Sequence, residues 1–446
     1  MSDHARYVHE AHAEALPVKL FNVLASVSYI LALAYIYDVE MLYHWRYLGF
    51  DGSVNINKLG FALTAGAGMG LLLPARKDTR ALLLYVMHYA FFIPSLIITA
   101  FSDAQASYAV TWVLSYALII LVSKASFPPL IFKYTQAQNI ALFCIFMTTV
   151  AIVSIAWFGG LRNFNLNLES VYDFREATAL DMPAVFSYVY SSVANVFIPV
   201  ALVLGVIYRD RTVVVMTVIA AIVLFGMSHH KSVFFTPFIV LGLYFVFRSR
   251  NWWALIGAGF LGAVALCLFD ILWIQYLEQS TNSSIINSYI ARRTLLTPPL
   301  LDRNFVEFFE YSDKYYWSSS RFGLGLVPQV YDVSAPFLIG REVFGDPLLA
   351  ANTGIVGSGY SNAGRVGVAI YSVVTGLLIA LLNSYGRVLG HSFTAAISVL
   401  IIAIIVTTTD LTTAVFTHGL VILIAVLAFG PRGIPSVTRP LALARA

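Results

Sequence analysis

An all-α polytopic membrane protein with about twelve transmembrane helices is what the sequence predicts. Only 11% of the 446 residues are charged and 59% are hydrophobic, whereas a soluble domain carries roughly 25% charge. The mean hydropathy is +0.79. The apolar residues run in blocks of about 20, long enough to cross a bilayer as helix, rather than in the short amphipathic stretches of a soluble core. This composition excludes a cytosolic enzyme. The formal charge of +4 is small and divided between two faces, so it leaves no nucleic-acid footprint. Cys144 and Cys267 fall inside apolar stretches and read as small core residues, with no disulfide framework. The first apolar stretch starts after Lys19 without a small-residue cleavage pattern, so it reads as a retained helix and not a signal peptide.

Taken in order, spans are expected near residues 19–37, 58–74, 81–101, 107–123, 139–158, 186–207, 212–228, 232–247, 251–275, 365–385, 391–408 and 411–430, all within one integral membrane domain, 1–446. The seventh and eighth are separated only by Ser228, His229, His230 and Lys231, which predicts a tight helical hairpin. Lys and Arg concentrate in alternate connections: Arg76, Lys77 and Arg80, then Lys124 and Lys133, Arg209 and Arg211, Arg248 and Arg250, Arg387, and a tail with Arg432, Arg439 and Arg445. The short connections 102–106 and 409–410 carry none, although 38–57 holds Arg46. The positive-inside bias therefore puts both termini in the cytoplasm.

Two segments on the opposite face break the economy of short loops, 159–185 and 276–362. Long loops on a compact scaffold usually carry function. The longer has six basic and eight acidic residues with a dense set of aromatics. Within it Leu301, Phe305, Phe308, Phe309 and Tyr316 recur at helical spacing while Asp302, Glu310 and Asp313 fall elsewhere on the wheel, which predicts an interfacial amphipathic helix.

The shorter loop reads RNFNLNLESVYDFREATALD and places Arg162 and Arg175 among Glu169, Asp173, Glu176 and Asp181. Guanidinium groups near a membrane surface can clamp a diphosphate, and a nearby carboxylate can take a proton from a sugar hydroxyl; the alternative is a solvated loop with local ion pairs. The tract SYIARRTLLTPPLLDRNFVEFFEYSDKYYW sets Arg292 and Arg293 before a Pro-Pro break and an aromatic run. Sugar faces pack on rings while guanidinium groups hold charge, and the competing reading is an aromatic belt at headgroup depth. His229, His230 and Lys231 sit at the hairpin tip; adjacent histidines share no helical face, so metal ligation is not indicated, and a general acid or base, or a phosphate contact, competes with a polar turn cap. The tract APFLIGREVFGDPLLAANTGIVGSGYSNAGRVGVAIY is rich in small residues that allow close backbone approach, between helices or to a ligand, with a structural re-entrant loop as the alternative. Asp270 and Lys124 lie near helix ends and can snorkel. No nucleotide-binding Gly-rich loop is present, so an ATP-driven pump is not supported.

Four of these tracts, VYDFRE in the first long loop, the SHHKSVFF hairpin, ARRTLLTPP opening the second long loop and GREVFGDP with ANTGIVGSGYSNAGRVG closing it, resemble in residues and order the Wzy-type oligosaccharide repeat-unit polymerases of O-antigen and capsule synthesis. The resemblance runs from about residue 160 to 385, and the preceding helices agree in hydropathy. It implies a GT-C-like membrane glycosyltransferase fold at the periplasmic face of a bacterial inner membrane. It also implies transfer of a growing glycan from its undecaprenyl diphosphate carrier to a newly flipped lipid-linked repeat unit. No nucleotide sugar, cofactor or metal is implied; membrane lipid and a chain-length-determining co-polymerase are implied partners. By position in the tracts the family's loop arginines fall on Arg162, Arg175, Arg292, Arg293 and Arg341. The spaced Arg and Gly repeat of some members is missing, since no Gly follows Arg175 in its loop.

On this reading Asp173, Arg175, Glu176, His230 and Arg293 are the catalytic candidates: arginines neutralise the departing diphosphate, and Asp173, Glu176 or His230 handles the acceptor proton. Arg162, Tyr172, Lys231, Arg292, Arg303, Arg321, Arg341, Asn352 and Tyr360 are the candidates for binding diphosphate and glycan. An O-antigen ligase, or a lipid-linked oligosaccharide flippase or other secondary transporter, stands as the alternative. A transporter would show broken or polar helices in repeated halves, and no internal repeat is evident here.

Overall fold

The structure, a computed structural model, describes residues 3–101, 106–162, 164–167, 183–277, 284–320, 323 and 325–432. Among them eight helices are long and apolar enough to cross a membrane, nine if the pair Leu411–Thr417 and Leu420–Ala428, bent by 57°, is one span. Helix occupies all twelve stretches where a span is expected, but Ile56–Leu72, Ser107–Val122 and His391–Thr407 are shorter than those eight, and the last stretch holds the bent pair. The chain divides into two compact units: residues 1–125, 251–380 and 403–412, and residues 126–250, 381–402 and 413–446.

In the first unit the helix Asp3–Ile36 packs against Ile56–Leu72 and Trp252–Leu272. Side-chain caps fix where helices start: Asn55 accepts from the Lys58 amide, Asp78 from Ala81 and Ser284 from Asn287. Glycines set how closely they approach, since a Cβ on Gly70 would lie 3.0 Å from Ser26 Oγ and 3.2 Å from the Asn22 carbonyl. The long loop 276–362 contains several helices in this unit: Ile285–Asn287, a π-helical run Ser288–Leu296, Thr297–Tyr311 and Ala335–Phe344.

The expected amphipathic helix is present as Thr297–Tyr311, but its buried face differs from the expected one. Asp302, Arg303 and Asn304 are buried beside Leu300, Phe305, Val306 and Phe309, while Leu301 and Phe308 are half-buried and Tyr316 lies past the helix end. The reason is polar pairing: Asp302 accepts from Thr353 and Gly357, and buried Arg303 reaches out to the exposed Asp51, so each buried charge keeps a partner. The Tyr108 hydroxyl donates to the Pro299 carbonyl at 2.7 Å and holds the helix start against protein.

The helix Ile355–Leu389 is two helices joined at a break, with Ala363 at φ −152°, ψ 32° and Gly364 at φ 59°, ψ −144°. The segment before the break folds back on the segment after it, so that a Cβ on Gly359 would meet the Val368 Cα at 2.9 Å. The small residues of GIVGSGYSNAGRVG thus serve close approach between helices, and the second segment begins at Arg365, the expected start of the tenth span. Gly359→Val should destabilise the detergent-solubilised protein by about 1–3 kcal/mol or more, because the obstacle is backbone that cannot yield. Gly60 lies within the helix Ile56–Leu72 with open space around it, so Gly60→Ala should hold or raise the unfolding temperature; equal losses from the two would contradict the fold-back.

In the second unit Ile198–Ile207 packs against Ala137–Ile155 and Arg211–Ser228. Arg211–Ser228 and Lys231–Arg248 form the expected hairpin, closed by His229 in the left-handed conformation at φ 56°. A short parallel bridge pairs Thr135 and Gln136 with Pro431 and Arg432. Cys144 in this unit and Cys267 in the first are buried free thiols.

Candidate functional site

Breaking a helix leaves carbonyls at the end of the first segment without intrahelical donors. Here the turn 315–317 supplies them: the Tyr315 amide donates to the Ser361 carbonyl and the Tyr316 amide to the Asn362 carbonyl, both at 2.9 Å. The Trp317 amide donates to Asn362 Oδ1 at 3.0 Å. To make these bonds Tyr316 and Trp317 both take positive φ, 49° and 59°, a region that costs a non-glycine residue on the order of 1–3 kcal/mol.

Underneath, the turn is held by a polar network. The Tyr371 hydroxyl donates to Asp410 Oδ2 at 2.8 Å and accepts from the Trp317 indole at 2.9 Å. Asn362 Nδ2 reaches the Ser358 carbonyl at 2.9 Å and Asp410 Oδ2 at 3.4 Å. Asp410 also accepts from the Thr412 amide at 2.8 Å and from its hydroxyl, capping the helix Leu411–Thr417.

Charge gathers at the break itself. The Tyr360 hydroxyl donates to Glu310, and Arg365 Nη2 stands 3.7 Å from the other oxygen of that carboxylate. The Arg365 side chain is 66% exposed and Glu310 27%. Lys314 donates to the Phe309 and Ser312 carbonyls and lies 5.9 Å from the centre of the Tyr360 ring. Non-helical backbone carrying an arginine at the head of an apolar helix is tolerated where it lines a polar space. The cluster offers an exposed cation for an anion, a carboxylate able to accept a proton, and a phenol that orients it.

Asp302 anchors the first segment of the broken helix from its start, accepting from the Thr353 hydroxyl and the Gly357 amide. Burial raises its pKa from 3.8 to about 7, against the lowering effect of those hydrogen bonds.

Of the residues singled out from sequence, Tyr360 joins this cluster. Arg303 is buried and taken up by Asp51 at 3.0 Å, with Asn304 and the Gly49 carbonyl as further acceptors. Arg292 lies over the Trp45 ring, 3.7 Å from its centre, and donates to Ser288 at 2.6 Å; Arg293 lies 5.6 Å from the centre of the Tyr289 ring. Arg341 pairs locally with Glu342 at 2.9 Å and Asp332 at 3.1 Å. Asn352 is exposed. In the second unit Arg162 is exposed after a turn at Gly159. There the His230 ring stands 5.6 Å from Tyr190, whose hydroxyl donates to Ser228 at 2.9 Å, and Lys231 opens its helix. Tyr172, Asp173, Arg175, Glu176 and Arg321 lie outside the described residues, as do Glu169 and Asp181. Among the described residues no group of three or more His, Cys, Asp or Glu side chains could hold a metal ion.

Glu310, Lys314, Arg365 and Asp410 were not among the sequence candidates. Two signals mark them: Arg365 follows Ala-Gly directly at the head of a span, and Asp410 is the sole acidic residue after Asp346. In comparisons with known proteins, no family model, no curated protein and no solved structure matches the chain.

Proposed function

We propose that the protein polymerises undecaprenyl-diphosphate-linked oligosaccharide repeat units at the periplasmic face of a bacterial inner membrane, as a GT-C-like glycosyltransferase with both termini in the cytoplasm. The observation that carries the reading is the exposed Arg365 beside Glu310 and Tyr360 at a break in a long apolar helix. The reaction breaks the bond between the anomeric carbon and the carrier diphosphate and forms one from that carbon to an acceptor hydroxyl. Arg365 neutralises the charge that develops on the departing diphosphate. Glu310, its lone pairs directed by Tyr360, takes the acceptor proton. The loop tracts that resemble the polymerases support the same reading, and Arg175 and Arg293 remain proposed contacts to the diphosphate.

The broken helix also favours a second reading, transport of lipid-linked oligosaccharide, because discontinuous helices line transporter sites. Surface polysaccharide from a strain lacking the gene separates the readings on a gel. Single-repeat product, with the ladder restored by the intact gene, is the expected result. Long chains held on the lipid carrier would replace polymerase by ligase, and accumulation of unflipped repeat units would replace it by flippase.

A further inference from the structure

Tyr316 and Trp317 hold consecutive left-handed backbone conformations, and capping the broken helix explains the backbone but not the residues. Glycine at either position would make the same amide bonds to Asn362 without strain. Trp317 has its own reason, since its indole donates to Tyr371 within the Asp410 network. The Tyr316 side chain makes no hydrogen bond or ring contact among the described residues, and 56% of the residue is exposed. An aromatic side chain is therefore kept in a strained position although it forms no hydrogen bond or ring contact among the described residues. Strain that surrounding bonds enforce, at a residue whose side chain forms no bond of its own among the described residues, points to a functional position.

What that position can do follows from its neighbours. Two residues before it is Lys314, and the Asn362 that holds its backbone lies three residues from Arg365. A ring carried on a turn whose backbone is bonded to the helix break fits a pyranose: the C–H face of the sugar packs on the ring while its hydroxyls reach polar groups of the break. A tyrosine that only marked the headgroup depth would need no strained backbone. The geometry points to Tyr316 as a sugar-stacking platform that holds the glycan at the helix break. This rests on the glycan-transfer reading above and names the part of the substrate that the segment binds.

The test pairs chain-length gels with fluorescence binding of partially hydrolysed surface polysaccharide from the same cells to the purified full chain. Tyr316→Gly relieves the backbone strain, so the unfolding temperature should hold or rise. Its polysaccharide should nevertheless shorten, and fragment binding should weaken by about two- to tenfold, the scale of one lost ring contact. Tyr316→Phe should restore both, and Tyr311→Ala, an exposed aromatic before the turn, should alter neither. Chain lengths and binding at wild-type level in Tyr316→Gly, where Arg365→Ala has lost polymer, would overturn the platform and leave polymerisation standing. A ladder that persists without the gene, with binding still lost in Tyr316→Gly, would overturn polymerisation and keep the platform. Wild-type protein that binds no fragment would overturn the platform directly.

Discussion

Arg365→Ala is expected to remove the polysaccharide ladder while the protein still inserts and folds. Removing one preorganised donor that faces developing negative charge lowers the rate on the order of 100-fold or more, which on a gel is loss of polymer. Folding is spared because the side chain is mostly in solvent and its link to Glu310 spans 3.7 Å; such exposed pairs are worth about 1 kcal/mol at most. Arg365→Lys keeps the charge but loses the fork that grips two oxygens at once, so shortened or sparse chains are expected rather than none. Glu310→Gln still accepts from the Tyr360 hydroxyl but cannot take a proton, and its loss should approach that of Arg365→Ala. On the proposed reading the two groups act on one transition state, so the double substitution should be scarcely worse than either alone. Unaltered ladders from Arg365→Ala at wild-type protein levels would remove Arg365 from the reaction.

The membrane class and the places of the helices were legible in the sequence because both follow from local apolar runs, which the bilayer selects by length alone. The hairpin at His229 and His230 was legible for the same reason. The count of spans was less so: a run such as Ile56–Leu72 announces an apolar helix without showing whether it crosses alone. The site was legible only as tracts. YSNAGRVG read as small residues for close approach, and the structure puts a helix break there; but the partners that make Arg365 meaningful, Glu310 and Tyr360, come from separate segments. Arg303 shows the converse. Its tract of arginine among aromatics reads as substrate binding, yet the side chain is buried against Asp51, more than two hundred residues earlier. A charged residue in sequence does not disclose whether its partner is protein or ligand, since both satisfy the same electrostatics.

Asp302→Asn should stabilise the protein at pH 8 and have almost no effect at pH 4. The carboxyl is buried at the start of the broken helix, and burial raises its pKa from 3.8 to about 7. Between those values the folded chain holds a proton that the unfolded chain has released, so rising pH favours unfolding across this window and adds nothing further above it. The cost of keeping the carboxylate ionised inside the fold at pH 8 is on the order of a few kcal/mol. Asparagine Oδ1 can accept from both the Gly357 amide and the Thr353 hydroxyl, as the Asp302 oxygen does, preserving the two contacts that tie the helix Thr297–Tyr311 to the segment before the break. Asp302→Ala strands both partners and should destabilise at every pH. The measurement is the unfolding temperature of variant and wild type in one detergent from pH 4 to pH 8.5. The difference between them isolates this carboxyl, since the other titrating groups cancel. A difference that stays constant with pH would mean that Asp302 is ionised throughout and that its hydrogen bonds outweigh its burial. A difference that grows through the interval from about 4 to 7 would mean that the anchor of the broken helix carries a proton over much of the working range, and that the segment leading to Glu310 and Arg365 is held most firmly on the acid side.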